Sequence, residues 1–206
     1  MIIIIEGPDG AGKSTMIEEI KQVHLEEGHS PDSVQIWRRG PFPEGSNPWT
    51  EYVLPLTSLS PSKDWLVLID RWHVGELVYG PLLRGVSRLS HEQRRWIDGY
   101  LKSLGALMIH LTASQEELIR RLAERGDDLI KAEHIPELLA GYADLLTENP
   151  RCLVMTRLYD TTGQKVRPTA KAIYTTSKLD AAIALVHQTH PSYTDQPYWE
   201  QHAWPS

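Results

Sequence analysis

Residues 2–15 read IIIIEGPDGAGKST, an apolar run followed by a glycine-rich loop, a lysine and two hydroxyl residues. The apolar run predicts a strand buried on both faces, and the spacing of residues 13–25 predicts an amphipathic helix after the loop. Residues 7–14 match the pattern G-x-x-x-x-G-K-[ST] in full. In that pattern the glycines let backbone N–H groups turn toward phosphates, the lysine reaches the β- and γ-phosphates, and the hydroxyl is a Mg²⁺ ligand. The stretch therefore predicts a site for a nucleoside triphosphate.

The composition is that of an ordinary globular protein. Of 206 residues, 41% are hydrophobic and 23% are charged, which excludes disordered, collagen-like and coiled-coil chains. The formal net charge of −6 is opposite to that of a general nucleic-acid binder, so we expect no nucleic-acid partner. The single cysteine, Cys152, cannot form an internal disulfide, and the chain shows no export signal and no membrane-spanning run. We therefore expect a cytoplasmic protein without a membrane partner.

Short apolar runs alternate with longer stretches of helical spacing. Each short run is a candidate strand; they are residues 2–5, 34–37, 65–69, 106–111 and 153–156. The alternation predicts an α/β fold, a five-stranded parallel sheet with helices on both faces. Ser90 with Gln93 and Ser114 with Glu117 fit capping boxes, which predict helix starts, and Gly126 predicts a helix end.

Asp70 and Arg71 directly follow the third predicted strand. Because the carboxyl ends of parallel strands line the ligand crevice, we expect Asp70 beside the glycine-rich loop. Asp70 can hold Mg²⁺ or orient the acceptor, and Arg71 can neutralise a transferred phosphoryl group. The alternative is a surface ion pair at a strand end.

Two segments together resemble the thymidylate kinases. Residues 2–15 are similar to the family start, E-G-x-D-G-A-G-K-S-T, and residues 69–80, IDRWHVGELVYG, to its segment D-R-Y-x-x-S-x-x-A-Y-Q. The resemblance covers most of the chain to about residue 157, and deoxynucleoside kinases share the fold. It implies a P-loop NTPase fold and phosphoryl transfer from ATP with Mg²⁺ to a nucleotide.

The resemblance also assigns roles to residues. Glu6 and Asp9 match the acidic positions around the loop, Asp9 would touch the acceptor sugar, and Tyr79 would pack near the acceptor nucleoside. Asp70 and Arg71 would act at the reacting phosphates. The residues expected to bind ATP are Gly7, Asp9, Gly10, Ala11, Gly12, Lys13, Ser14, Thr15 and Arg157, the last at the adenine, and those expected to bind Mg²⁺ are Ser14 and Asp70.

The chain departs from the family where the base is read. Gly80 stands in place of a glutamine that helps to read thymine, and the Phe-and-Arg segment between strands two and three has no clear counterpart in residues 46–63. Phe42 and Trp72 are therefore candidates for a different stacking platform, with packing in the core or at the rim as the alternative for each. Residues 40–63 predict a loop with one short helix at the edge of the site.

Five arginines are candidates for phosphate binding. Arg38 and Arg39 follow the second strand, where guanidinium groups suit a dianionic acceptor phosphate, and Arg71 follows the third. A deoxynucleoside kinase is expected to present a glutamate after the second strand, and the nearest here is Glu44. Arg121 and Arg125 share a helix face in a lid at about 120–135 and would close over the ATP phosphates; a salt-bridged surface helix is the alternative.

These observations favour a kinase that phosphorylates a deoxynucleoside monophosphate, dTMP-like or carrying a modified pyrimidine, with catalytic roles for Lys13, Asp9, Asp70, Arg71, Arg121 and Arg125. Three alternatives stay open: a deoxynucleoside kinase with Glu44 or Asp70 as base, a kinase for a hydroxymethylated base in DNA, and a non-catalytic ATP switch. Residues 1–187 are expected to form the kinase domain, and 188–206 an aromatic and proline-rich tail. The tail can cover the protomer or contact a partner, such as a second copy in a homodimer.

Overall fold

The computed structural model describes residues 1–40, 42–59, 65–126, 130–148, 155–163 and 166–189, leaving aside the side chains of 146–148, 155–157 and 180–189. The strands within these ranges are β1 (Ile2–Glu6), β2 (Val34–Arg38), β3 (Leu66–Asp70), β4 (Leu107–Thr112) and β5 (Met155–Asp160). The helices are α1 (Lys13–Glu26), α2 (Pro48–Thr57), α3 (His73–Arg84), α4 (His91–Ser103), α5 (Gln115–Arg125), α6 (Ile135–Glu148) and α7 (Val166–Thr189). Short 3₁₀ turns lie at Pro31–Ser33 and Ala132–His134.

The five strands form one parallel sheet in the order β2-β3-β1-β4-β5. This confirms the predicted α/β fold with a five-stranded parallel sheet. β1 is central, with β3 on one side and β4 on the other, so the connection that follows it emerges at the point where the strand order reverses. The glycine-rich loop occupies this position.

The core explains why β1 is central. All four isoleucines of β1 are at most 4% exposed, and burial of each such side chain stabilises the fold by roughly 1.5–3 kcal/mol. A strand that is apolar on both faces can only sit between two layers, and here helices supply both layers.

The strand ends differ from the sequence prediction. β2, β3 and β4 each end one residue later than predicted, and β5, described as Met155–Asp160, ends four residues later than the predicted strand 153–156. The added residues include Arg38, Asp70, Thr112 and Asp160, which pair in the backbone ladder although their side chains are polar. An apolar run does not reveal such positions.

The helix signals are confirmed in most details. Ser90 and Gln93 form a full capping box at the start of α4, and Gly126 ends α5. Ser114 accepts from the Glu117 N–H, but the Glu117 side chain turns to arginines on α5, so only half of the second box forms. The short helix predicted in residues 40–63 is α2. None of the helices that the structure describes has the length and apolar character needed to cross a membrane.

Candidate active site

The glycine-rich loop passes so close to β4 that position 7 must be glycine. Gly7 has φ +139°, and a Cβ atom placed on it would lie 2.0 Å from the carbonyl oxygen of Leu111. Gly10 and Gly12 also adopt left-handed backbone conformations, with φ +81° and +85°. The loop then enters α1 at Lys13, so the free N–H groups of the first helical turn lie at its mouth and favour an anion.

Lys13 is buried at the centre of this loop. Its ammonium donates to the carbonyl oxygens of Gly7 at 3.1 Å and Pro8 at 2.7 Å. Burial, with help from the Arg71 charge, lowers the pKa of Lys13 to about 7, although nearby carboxylates act in the opposite direction. An anionic phosphate beside this ammonium would favour its charged form.

Ser14 and Asp70 meet at the carboxyl edge of the sheet. The Ser14 hydroxyl lies 3.5 Å from Asp70 Oδ2, and the register of β1 with β3 places Asp70 opposite Ile5. Within the described ranges no group of three or more His, Cys, Asp and Glu side chains forms a metal site by itself. A hydroxyl and a carboxylate oxygen nevertheless fit Mg²⁺, which takes few protein ligands and completes its shell with water and substrate phosphates.

Arg71 connects β3 to the loop in a strained backbone conformation. It is the one non-glycine residue in the described part of the chain with positive φ, +65°. Its guanidinium donates to the Gly7 carbonyl oxygen at 3.0 Å and to Asp9 Oδ1 at 2.5 Å. Asp9 Oδ2 accepts from the Tyr79 hydroxyl at 3.0 Å, and the Arg71 guanidinium carbon lies 4.8 Å from the centre of the Tyr79 ring. Sequence-predicted residues Asp9, Arg71 and Tyr79 are thus brought together, and strain at such a position is typical of functional sites.

Glu6 is a buried carboxylate that supports the start of α3. Its Oε1 accepts from the Trp72 N–H at 2.6 Å and the Gly75 N–H at 3.4 Å, and its Oε2 accepts from the Tyr142 hydroxyl at 3.3 Å. Burial raises the pKa of Glu6, while the Trp72 hydrogen bond and neighbouring cations lower it. Tyr142 also lies 3.3 Å from the Gly7 carbonyl oxygen, so α6 is tied to the loop.

Arg121, predicted to close over the ATP phosphates, lies against the glycine-rich loop. Its guanidinium donates to the Gly10 carbonyl oxygen at 2.9 Å, to the Thr161 hydroxyl at 3.0 Å and to Glu117 at 2.7 Å. With these partners the Arg121 side chain supports the glycine-rich loop. This geometry favours a role in positioning the loop over a role in closing a lid on ATP. Arg125 lies in the exposed last turn of α5.

Two of the residues predicted around the acceptor, Arg38 and Arg39, are next to Asp70 in the backbone. Arg38 pairs with Asp70 in the ladder, and the Arg39 N–H donates to the Asp70 carbonyl oxygen at 3.1 Å. Trp72 is fully buried, with its ring centre 5.3 Å from that of Tyr52 and 5.6 Å from the Arg39 guanidinium carbon. This burial favours the packing alternative for Trp72. Phe42 is half-buried, and its ring packs edge-on against Tyr52 at 5.0 Å.

Several residues of the site were not predicted from sequence. Thr161 follows β5, and its hydroxyl lies 3.3 Å from the Ala11 carbonyl oxygen. Its position after a strand could have pointed to the site, but the predicted strand ended at residue 156. Tyr142 and His110 carry no local signal, because only the tertiary fold brings them to Glu6 and the loop. The side chain of Arg157 and the tail 190–206 lie outside the described residues, so the predictions made for them stay predictions.

No profile of a known protein family matches the chain. The chain is similar to the SPbeta prophage-derived uncharacterized protein YorR of Bacillus subtilis strain 168, at 26% identity over 146 residues, covering 71% of this chain and 82% of that protein. It is also similar to a thymidylate kinase of Chlamydia felis, at 29% identity over 182 residues, covering 73% of this chain and 86% of that protein.

Solved structures show the same architecture. YorR from Bacillus subtilis, in complex with phosphorylated GDP, matches with a TM-score of 0.68 and 25% identity, covering 92% of this chain and 99% of that chain. A deoxyadenosine kinase from M. mycoides with bound dCTP matches with a TM-score of 0.53 and 22% identity, covering 85% of this chain and 98% of that chain, a likeness that shows the fold. These likenesses support the α/β fold of the chain.

Proposed function

Because this chain belongs to the P-loop nucleotide kinases of the thymidylate kinase and deoxynucleoside kinase group, we propose that it phosphorylates a deoxynucleoside monophosphate. The γ-phosphoryl group of ATP passes to an oxygen of the acceptor phosphate, and ADP and a deoxynucleoside diphosphate leave. The phosphotransferase class follows from the kinase homologues.

One observation supports the choice of a monophosphate acceptor: two consecutive arginines, the last residue of β2 and the residue after it, are next to Asp70 in the backbone ladder. Arg38 and Arg39 flank Asp70, and Arg39 Nε is buried without a hydrogen-bond partner among the residues described. A buried unpaired donor needs a partner, and an acceptor phosphate is one. Glu44, the candidate base for a nucleoside hydroxyl, is exposed.

Each part of the loop has a task in this reaction. The free amides at the start of α1 and the Lys13 ammonium hold the ATP phosphates, with phosphate oxygens replacing the carbonyl oxygens of Gly7 and Pro8 at Lys13. Ser14 and Asp70 are the residues that would hold Mg²⁺, which neutralises charge on the transferred phosphoryl group. The contacts of Arg121 and Thr161 with the loop keep it in shape while its ligands change.

The acceptor lies on the other side of Asp70. Arg39 and Arg71 bind its phosphate and hold it in line with the γ-phosphoryl group, so catalysis is mainly positioning and charge stabilisation. Asp9 is fixed by Arg71 and Tyr79, and its carboxylate is placed to orient the acceptor sugar. The rigid pairing of these three side chains prepares the site before the acceptor binds.

A deoxynucleoside kinase is the second candidate, and the structural likeness to a deoxyadenosine kinase favours it. In that reaction Asp70 would accept the proton of the 5′-hydroxyl, since Glu44 is exposed in this structure. The two functions differ in whether the acceptor already carries a phosphate when it binds. The role proposed for Arg39, binding the acceptor phosphate, exists only for a monophosphate acceptor.

The test is ATP-dependent turnover of deoxynucleoside monophosphates and of the matching nucleosides, with products identified by mass. We expect diphosphates from monophosphates, and Arg39→Ala should raise KM for the monophosphate by roughly 10- to 100-fold, because a charge-assisted hydrogen bond is lost. Lys13→Ala should abolish turnover, whereas Lys21→Ala should not, because Lys21 lies on the same helix but pairs with Glu18 and has no contact with the loop. Turnover of nucleosides alone would establish the second candidate.

A further inference from the structure

The guanidinium group of Arg39, the proposed ligand of the acceptor phosphate, is not held by an acidic side chain. Among the described residues it forms no ion pair, and its Nε donor lies buried without a hydrogen-bond partner. The Arg39 backbone is fixed, because its N–H donates to the Asp70 carbonyl oxygen at 3.1 Å. The side chain then lies over the indole ring of Trp72, with the guanidinium carbon 5.6 Å from the ring centre.

Trp72 is itself held firmly in the core. It is fully buried, and its backbone N–H donates to Glu6 Oε1 at 2.6 Å. The ring centres of Tyr52 and Trp37 lie 5.3 Å and 6.0 Å from that of Trp72. Glu6 is the last residue of β1, the strand that leads into the phosphate-binding loop. The ring beneath Arg39 is therefore fixed through its backbone by β1 and through its side chain by two aromatic neighbours.

Packing alone does not require an indole at position 72. The Trp72 Nε1 donor is buried and has no hydrogen-bond partner among the described residues. An unpaired buried donor costs free energy, and a phenyl or aliphatic side chain would fill the core without that cost. The face of an indole attracts a guanidinium group more strongly than any other aromatic side chain does. The contact with Arg39 thus gives the indole a role that packing does not.

A contact with a ring face leaves an arginine able to bind phosphate. The attraction acts on the charge of the guanidinium group and does not use its N–H donors, so two parallel hydrogen bonds to a phosphate can still form. A long side chain normally loses rotamer freedom when it binds a ligand, which lowers affinity. A guanidinium group already held over a fixed ring has lost much of that freedom before the phosphate arrives.

We propose that Trp72 is a positioning residue for the acceptor phosphate, because its indole face holds the Arg39 guanidinium in the orientation that binds the phosphate. The inference rests on the function proposed above, in which Arg39 binds a deoxynucleoside monophosphate. Since Trp72 is fully buried, it acts through Arg39 and not by contact with the substrate. The sequence suggests a platform for a base at this position, and the structure places an arginine on the ring instead.

The experiment measures kcat and the KM values for ATP and for a deoxynucleoside monophosphate in Trp72→Leu and Trp72→Phe. The wild type is first screened with dTMP, dCMP, dAMP and dGMP, and the best substrate is used throughout. Leucine removes the ring face, so KM for the monophosphate should rise by roughly 5- to 30-fold, the effect of a desolvated cation–π contact. Phenylalanine keeps a weaker face and should give a smaller rise. KM for ATP should stay unchanged.

A double-mutant cycle separates the positioning of Arg39 from a general loss of packing. In the Arg39→Ala background no guanidinium group is left to position, so Trp72→Leu should not raise KM for the monophosphate further. Trp96→Leu is the matched control, since Trp96 is 8% exposed in α4 and packs against Trp49 and Tyr100. It should lower stability, as Trp72→Leu does, and leave both KM values unchanged.

Urea unfolding of each variant shows whether it is folded under the assay conditions. If Trp72→Leu does not fold, Trp72→Phe, which keeps a ring in the core, completes the cycle. The inference is overturned if neither Trp72 variant raises KM for the monophosphate, or if KM rises as much in the Arg39→Ala background as in the wild-type background. An equal rise in KM for ATP would also overturn it, because Trp72 would then support the whole site.

Failure of the proposed function has a different signature, since the wild type would then phosphorylate no monophosphate. Arg39 would have no acceptor phosphate to bind, and the positioning role of Trp72 would be overturned with the function. Failure of the inference alone leaves monophosphate turnover by the wild type intact and removes only the coupling between Trp72 and Arg39.

Discussion

Gly7→Ala tests the close approach of the phosphate-binding loop to β4. The new Cβ atom would start 2.0 Å from the Leu111 carbonyl oxygen, whereas Cβ atoms in real structures essentially never come nearer than 3.0 Å. The loop or the strand must therefore move by about 1 Å. The backbone at φ +139° adds strain, because a residue with a side chain rarely adopts it.

The cost can be worked out from these two contributions. A left-handed conformation costs a residue with a Cβ atom roughly 1–2 kcal/mol, and forcing an extra methyl group into a packed site costs roughly 1–3 kcal/mol. We expect Gly7→Ala to lower the free energy of unfolding by about 2–5 kcal/mol, a large part of the stability of a typical domain.

Gly28→Ala is the matched control for the backbone contribution. Gly28 follows α1 with φ +90°, and a Cβ atom there would meet nothing within 4 Å, so only conformational strain of about 1–2 kcal/mol is expected. Urea unfolding followed by circular dichroism measures both variants, with the slope m expected to stay constant. If Gly7→Ala costs no more than Gly28→Ala, the loop can move freely from β4 and the steric reasoning is wrong.

Three further predictions concern buried ionisable groups. Burial lowers the pKa of Lys13 to about 7 from 10.5, so between these pH values the unfolded chain binds more protons than the folded one, and stability should rise with pH. Urea unfolding at several pH values should show this rise in the wild type and not in Lys13→Met. The same pH dependence in both proteins would contradict the lowered pKa. Burial, with the Lys13 charge, lowers the pKa of His110 to about 4 from 6.5, so the free energy of unfolding should fall as the pH drops from 6.5 to 4. This fall should be shallower in His110→Gln. An identical dependence of the unfolding free energy on pH in both proteins would count against a buried neutral imidazole. The side chains of His73 and Asp98 are fully buried, with Nε2 of the imidazole 2.8 Å from Oδ1 of the carboxylate. Asp98→Ala should lower the free energy of unfolding by roughly 3–5 kcal/mol, because it leaves the imidazole without this partner. A loss below about 1 kcal/mol in chemical unfolding would mean that water replaces the carboxylate.

The fold could be predicted from the sequence because its signals are local. Four consecutive isoleucines, a complete phosphate-loop pattern and well-marked helix caps each specify one element, and a parallel sheet is the arrangement that buries them all. Strand ends were less predictable, because Asp70 and Arg38 extend their ladders with polar side chains. The phosphate end of the site, with Lys13, Ser14 and Asp70, could be predicted for the same local reason.

The rest of the site depends on contacts between distant parts of the chain. The sequence predicts Arg121 as a lid residue but does not reveal its hydrogen bonds to Gly10 and Thr161, because these residues are distant in the chain. Trp72 occupies a motif position that suggested stacking on a base, but the Tyr52 ring of α2 covers it.

The most direct test of the proposed function is to follow γ-labelled ATP into products in the presence of each deoxynucleoside monophosphate and each nucleoside. Phosphoryl transfer to an existing phosphate predicts label in the β-position of a deoxynucleoside diphosphate, and loss of that label when Lys13 is changed to Ala. Label that appears only in a monophosphate made from a nucleoside, or only in inorganic phosphate, would contradict it.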